Sequence, residues 1–431
     1  MTTTPAGSRL KRSSELHERA CRVLAGGVST AFRAFERPVP LFVQSARGAH
    51  VVDVDGNDFV DFMCGFGPII LGHGDERVLE GAIAAARTVQ QTGGQSLGEL
   101  ELAELLCQHV PAFEVVRLGL SGSEAIHAAV RLSRAATERP LLVKFAGHYH
   151  GWLDGIYTAT AHPPPACPET AGQLPSALED VVVVEWNDSE ALRDLFAELG
   201  HKIAAVIMEP IACNQGVIYP HDGYLEYVRA LTEANGALLI FDEVITGFRL
   251  GLGGAQAVVD VVPDLAITAK AMANGFPISA FGGRRDLMDL IATNKVMHAG
   301  TFNAGGMSVG AAVATIRALA EDGGAVYEKL AVLGHRLMAG LSEAAREWDL
   351  PLVVNGPGPV FFTWFSEQPV TSYADHLLAD DARYARFAEL MHAAGTRVIP
   401  SGRWYLSAAH AESDVDRALE CAARVFASMA G

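Results

Sequence analysis

From about residue 75 to 320 the chain alternates short apolar runs with amphipathic helical stretches. The runs are "LLVKF", "VVVVEW", "AAVIMEP", "ALLIFDEV" and "DLAITA"; the helical stretches include "SEAIHAAVRLSRAAT" and "GYLEYVRALTEANG". Runs apolar on both faces and separated by helices predict a mostly parallel α/β sheet. Upstream, "ARGAHVVDVDGNDFVDFM" alternates apolar and polar residues around Asp55-Gly56, which predicts a hairpin. After Gly323 the pattern gives a long amphipathic helix, "YEKLAVLGHRLMAGLSEAAREW", and a closing one, "DVDRALECAARVFASMA". Between them "PLVVNGPGPVFFTWF" and "TRVIPSGRWYLSAA" read as strands. The expected architecture is α/β: a large domain over 71–322 and a smaller α+β domain built from both chain ends, 1–70 and 323–431.

Composition narrows the partners. The chain has 431 residues, 50% hydrophobic and 19% charged, an ordinary globular balance. A formal net charge of −17 without a Lys/Arg-rich block disfavours nucleic acid or an anionic membrane as partner. Any anionic substrate then has to be met by individual arginines. The six cysteines are scattered with no C-x-x-C pair, which argues against a structural zinc site or a disulfide framework and suits a reducing compartment. "MTTTPAGSRLKRSSELHERA" lacks the apolar core of a secretory signal, and no stretch approaches the roughly 20 apolar residues of a membrane span. The expected setting is cytoplasmic.

One run ends oddly. In "GALLIFDEVITGF" two acids, Asp242 and Glu243, close the most apolar strand and apolar residues resume at once. Ligands of open α/β sheets collect at the carboxyl ends of strands. A second run, in "PDLAITAKAMANGFP", ends at Thr268-Ala269 with Lys270 directly after it. A lone lysine there is usually solvated, but the small residues that follow suit close approach of a ligand. A desolvated lysine amine is a Schiff-base nucleophile. In "LGLSGSEAIHAAV", Ser121, Gly122 and Ser123 open a helix, whose free amides bind a phosphate; taken alone, a serine there is an ordinary N-cap. In "KFAGHYHGWLD", Tyr149 offers an aromatic face to a flat ring. His148 and His150 lack metal-ligand spacing and a third ligand near in sequence, so no metal site is expected.

Together these parts match what pyridoxal 5'-phosphate (PLP) requires: a lysine amine, an anion cradle, an aromatic or apolar ceiling, and a carboxylate beside the pyridine nitrogen. Asp242 is assigned to that nitrogen, keeping it protonated. Val244, on the same side of the strand, is placed to pack against the ring, while Glu243 points the other way into a structural hydrogen bond.

At these residues the chain resembles the class III PLP-dependent aminotransferases, within them the glutamate-1-semialdehyde 2,1-aminomutase-like branch. The resemblance runs from "AGGVSTAFRAF" and "LGHGDERV" through "FDEVITGFRLGLGGAQ" to "GTFNAGGMSVGAA". It implies a type I fold and a homodimer with shared active sites. It assigns Lys270 as the Schiff-base lysine and proton carrier, Asp242 as the pyridinium partner, and Ser121, Gly122 and Ser123 as the phosphate loop, where the family usually has threonine for Ser123. Tyr149 matches the stacking aromatic. Glu209 and Asn214, in "MEPIACNQG", match positions near the phenolic oxygen, and Thr301 in "GTFN" a threonine that reaches the neighbouring subunit's phosphate. For the substrate it points to Thr30 and Arg33, and Phe66 is a further substrate-binding candidate.

Two stretches depart from the aminomutases. "PSGRWYLSAAH" carries Arg403 and Trp404 where they have a glutamate, so a cation replaces an acid. The loop "ATAHPPPACPETAGQ" lacks their glycine-serine gating segment. Both changes favour intermolecular transfer over isomerisation, although Arg33 has Glu36 as a nearby acid to pair with and Arg403 has simple exposure as its plainer reading. The leading expectation is a ping-pong aminotransferase for a carboxylate-bearing amine, such as a β- or ω-amino acid, with a 2-oxo acid as acceptor. Behind it stand an aminomutase or racemase on the same cofactor, a metal hydrolase using His148, His150 and Asp242, and a non-catalytic binding relative.

Overall fold

The computed structural model describes residues 10–430. It divides into two compact units: one comprises Met1–Asp75, Lys329–Pro369 and Leu378–Gly431, the other Glu76–Glu328 and Val370–Leu377.

In the first unit, strands β1 (Val43–Arg47), β2 (His50–Asp53) and β3 (Asp58–Asp61) form an antiparallel meander. The hairpin predicted around Asp55-Gly56 is the β2–β3 turn, with His50 opposite Val60 and Val52 opposite Asp58. Gly56 takes φ +83°, and the Asp53 carboxylate accepts the amides of Asp55 (2.9 Å) and Asn57 (2.8 Å). Turn chemistry therefore sets the register.

The second unit is built on seven strands, β4 (Val115–Gly119), β5 (Leu141–Phe145), β6 (Val181–Val184), β7 (Ile203–Met208), β8 (Leu238–Glu243), β9 (Leu265–Thr268) and β10 (Ser279–Gly283). Their order is β4-β10-β9-β8-β7-β5-β6. Every pairing is parallel except those of β10, which runs against both β4 and β9. Only a short 3-10 turn and a few residues separate β9 from β10, too little chain for a helical crossover, so β10 has to return antiparallel. All six residues of β7 and of β8 are buried. The helix Gly122–Thr137 lies on this sheet through small residues, Ala125 and Ala129, beside Leu132, against Ile207, Ile240 and Ile267.

The first unit closes with β11 (Leu352–Asn355), β12 (Val360–Phe365), β13 (Thr396–Arg397) and β14 (Arg403–Tyr405). Strands β11, β12 and β14 make a small antiparallel sheet, whereas β13 joins β3 in parallel. Among the described residues no helix is long and apolar enough to cross a membrane.

Candidate active site

Four neighbouring parallel strands, β5, β7, β8 and β9, each deliver chemistry at or just beyond their carboxyl ends. Tyr149 and His150 follow β5, Glu209 follows β7, Asp242 closes β8 and Lys270 follows β9. Strand order alone therefore gathers residues up to 121 positions apart in sequence, from Tyr149 to Lys270.

Asp242 is 4% exposed. Its Oδ2 lies 2.7 Å from His150 Nδ1, and its Oδ1 accepts the Val244 amide at 3.1 Å. Burial pushes its pKa up to about 7, opposed by the Val244 hydrogen bond and by the charge of Lys270. His150 is itself held well below the usual histidine range, first by burial and then by the charge of Lys144. A neutral His150 with its proton on Nδ1 donates to Asp242 and fixes the carboxylate's orientation. Glu243 points the other way, accepting from Thr246 Oγ1 (2.8 Å), Gln256 Nε2 (2.8 Å), the Gln256 amide (3.1 Å) and the Ala255 amide, which anchors the helix Gly254–Val259.

Lys270 begins a 3-10 turn, Lys270–Ala273, with φ +42°. A non-glycine residue in the left-handed region costs roughly 1 kcal/mol or more, and such strain concentrates at functional positions. Lys270 is only partly buried, while Ala269 and Ala271 on either side are fully buried. The same contrast recurs at Val244, partly open between the buried Glu243 and Ile245.

Ser121 N-caps the helix Gly122–Thr137 in a complete capping box, its Oγ accepting the Glu124 amide (3.3 Å) while its amide donates to Glu124 Oε2 (3.0 Å). The plain N-cap role is therefore real, and it does not compete with anion binding, because the amides of the first helical turn, at Gly122 and Ser123, have no acceptor within the helix. Gly122 faces Val244: a Cβ there would lie 2.9 Å from Val244 Cγ2. Gly151 faces Ser123, whose Oγ would be 2.4 Å from an added Cβ. Missing side chains thus let the loop after β5 and the end of β8 close around the helix start.

The Glu209 carboxylate accepts the Tyr149 amide (2.9 Å), Asn214 Nδ2 (2.9 Å) and the Asn214 amide (3.1 Å). The Tyr149 hydroxyl is pushed up to about 12 by burial and by the nearby Tyr157 and Asp242, so it stays neutral. Ser121, Gly122, Ser123, Tyr149, Glu209, Asn214, Asp242, Val244 and Lys270 all fall within the second unit. Thr301 is in that unit too, exposed, with its carbonyl accepting from Gln91 Nε2.

The substrate candidates Thr30, Arg33, Phe66 and Arg403 fall in the first unit. Thr30 and Arg33 share a turn, the Arg33 amide donating to Thr30 O at 3.1 Å. Glu36 does not pair with Arg33; its Oε1 takes Arg397 Nε at 3.0 Å, and Arg33 is exposed. Phe66 has φ +68° and packs 6.0 Å from Phe32. Arg403, on β14, is partly buried rather than exposed, with Nη1 3.5 Å from Tyr405 Oη.

Sequence reasoning missed His150, whose i, i+2 partner His148 drew attention to metal binding instead. The available signal was its position directly after Tyr149, the residue expected to stack on the ring.

These residues fit PLP. A buried carboxylate with a raised pKa calls for a cation, a helix N-terminus stands open to an anion, and a strained lysine lies close enough to feel the carboxylate's charge. Fold and site together define a PLP enzyme of the type I fold. Residues 32–409 match the family model for aminotransferase class III. A glutamate-1-semialdehyde 2,1-aminomutase from Thermomicrobium roseum is 41% identical over 98% of this chain and 99% of its own. An omega-transaminase from Sphaerobacter thermophilus superposes with a TM-score of 0.93 at 32% identity, covering 99% of both chains. A transaminase solved with PLP bound superposes with a TM-score of 0.90 at 28% identity, covering 99% of this chain and 98% of its own. The chain belongs to the class III aminotransferase family, and its cofactor is pyridoxal 5'-phosphate.

Proposed function

We propose that the protein is an aminotransferase that moves an amino group from a carboxylate-bearing amine, of the β- or ω-amino acid kind, to a 2-oxo acid in a ping-pong cycle. PLP, when bound, supplies the electron sink for the pair left at Cα. The chain's residues do the rest. The amides of Gly122 and Ser123 and the hydroxyls of Ser121 and Ser123 hold the phosphate. Tyr149 and Val244 support the two ring faces, Glu209 and Asn214 sit at the phenolic edge, and Asp242, oriented by His150, holds the ring nitrogen's proton. Lys270 Nζ would hold the cofactor and serve as the base that moves the substrate proton from Cα to the cofactor's C4′. Arg33, with Thr30 and Phe66, and Arg403 receive substrate carboxylates or other anionic groups. Thr301 reaches the phosphate of a second copy; the exposed apolar Leu97 (88%), Met297 and Phe302 (64% each) favour such a homodimer.

The observation that carries transfer over isomerisation is the fastening of residues 154–173. Glu169 accepts the Thr160 amide (2.8 Å) and His162 Nδ1 (3.1 Å), Gln173 Nε2 donates to the carbonyls of Asp154 (2.8 Å) and Tyr157 (2.7 Å), and Thr158 Oγ1 bonds Cys167 through both its carbonyl and its amide. Isomerisation needs a segment that shuts on the half-converted substrate, and a loop already tied to itself is poorly suited to that. The identity with an aminomutase favours the second reading, a glutamate-1-semialdehyde 2,1-aminomutase-type isomerase.

The two separate in one assay. Holoenzyme mixed with a panel of α-, β- and ω-amino compounds, without acceptor, should convert stoichiometrically and stop; a 2-oxo acid should restart it. Sustained turnover without acceptor would establish the isomerase. Lys270→Ala should lose turnover and the borohydride-fixed cofactor mass on its peptide.

A further inference from the structure

Lys144 is fully buried in β5, in the middle of the apolar run Leu141–Phe145, and the chemistry above does not use it. Its Nζ meets no carboxylate. Instead it donates to the carbonyl of His148 at 2.9 Å and to that of Thr158. Those two carbonyls bracket the loop after β5, the loop that carries Tyr149 and His150. Lysine suits the task because it offers donors and asks for no acceptor in return.

The surroundings show what is being held. His148, Tyr149 and His150 are anchored one after another to different elements. Lys144 takes the His148 carbonyl, Glu209 takes the Tyr149 amide, and His150 Nδ1 lies 2.7 Å from Asp242. His148 Nδ1 also accepts the Glu209 amide at 3.0 Å. The other end of the loop has Tyr157 edge-on to Tyr149, ring centres 6.2 Å apart at 85°, and the next residue, Thr158, is Lys144's second partner. One buried amine therefore sets both the near end of the Tyr149 support and the far end of its aromatic neighbour.

We propose that Lys144 is a positioning residue for the cofactor-facing aromatic: by clamping the carbonyls of His148 and Thr158 it fixes the height and tilt of Tyr149. The proposal rests on the reading of Tyr149 as the ring support. Burial lowers the Lys144 pKa to about 7, opposed by the charges of Glu209 and Glu169.

The test uses Lys144→Met, which keeps the length and removes the donors, with three readouts: visible dichroism induced in bound PLP, the rate of PLP release, and hydrogen exchange of residues 146–158 in the apoprotein. We expect a folded variant with weaker dichroism, cofactor release faster by about tenfold, and faster exchange across 146–158. Unchanged dichroism, release and exchange in a folded Lys144→Met protein overturn the proposal. Should that variant not fold, Tyr157→Leu and the wild type decide. Weakened dichroism in Tyr157→Leu with protected wild-type amides supports the clamp; unchanged dichroism, or 146–158 amides exchanging as fast as the exposed turn 91–95, overturns it. Tyr149→Leu holoenzyme with wild-type dichroism also overturns it, and if Lys144→Met still speeds exchange, the fault lies in the Tyr149 reading alone.

Discussion

Burial raises the pKa of Asp242 to about 7 from 3.8, although the Val244 amide and the Lys270 charge pull the other way. The sign of the consequence follows from proton binding. Between those two values the folded apoprotein holds a proton that the unfolded chain has lost, so stability falls as pH rises, by up to about 4 kcal/mol over the window. Asp242→Asn removes that term. Apo Asp242→Asn should therefore melt above the apo wild type at pH 8, and the gap should begin to narrow as pH falls below 7, by about 1.4 kcal/mol per pH unit. Comparing the variant with wild type at each pH cancels the opposite trend of buried His148, whose depressed pKa costs stability in acid. If Asp242 faces the ring nitrogen as proposed, the order should reverse in the holoproteins, because the nitrogen's charge would stabilise the carboxylate that the asparagine lacks. Thermal melts of both forms from pH 6 to 8 check this; a gap that stays constant with pH would show that Asp242 is not the titrating group.

Helix packing in the second unit depends on backbone contact where side chains are absent. The helices Glu76–Thr88 and Gly306–Ala320 cross at Gly81 and Gly310: a Cβ on Gly310 would lie 2.4 Å from Gly81 O and 2.6 Å from Ala85 Cβ. In an open helix glycine to alanine gains up to about 1 kcal/mol. Here overpacking against a backbone carbonyl reverses the sign, and Gly310→Ala should lose about 2 kcal/mol in denaturant unfolding. The apolar runs did predict the strands they became, since "LLVKF" is β5 and the closing acids of "ALLIFDEV" end β8. The positions of Asp242 at the end of β8 and Lys270 just beyond β9 were legible for the same reason: each is an unusual residue type at the end of a strongly patterned element. "TRVIPSGRWYLSAA" was legible only as strand material. Gly402, at φ +109° and pressed against the Phe362 ring, breaks it into β13 and β14, which join different sheets. His150 facing Asp242 and Lys144 clamping Thr158 were not legible, because both depend on which strand neighbours which. A lysine inside an apolar strand was nonetheless a visible anomaly.

At the scale of the whole chain, the first unit is assembled from segments hundreds of residues apart, and a buried charge network joins them. Arg397, on β13, places Nε 3.0 Å from Glu36 Oε1 and Nη1 3.8 Å from Asp61 Oδ1, while His73 Nε2 reaches Asp61 Oδ2 at 2.8 Å. Glu36 also accepts the Leu41 amide at 3.1 Å. Burial pushes the Asp61 carboxyl up, yet the His73 hydrogen bond and the charges of Arg397 and His73 outweigh it and the net pKa is lowered. A lowered carboxylate pKa contributes stability that is present above its unfolded value of 3.8 and is lost as pH falls through the folded value. Arg397→Met keeps the bulk and leaves two buried carboxylates short of a cation, a change of the kind that costs about 3 kcal/mol. Urea unfolding at pH 7 should show that loss in full. As pH falls toward 4 the gap to wild type should narrow, because a protonated Asp61 in the variant no longer needs the guanidinium. A deficit equally large at both pH values would mean that Arg397 stabilises the unit by packing its aliphatic stem, and the charge account of how the two chain ends are joined would fail.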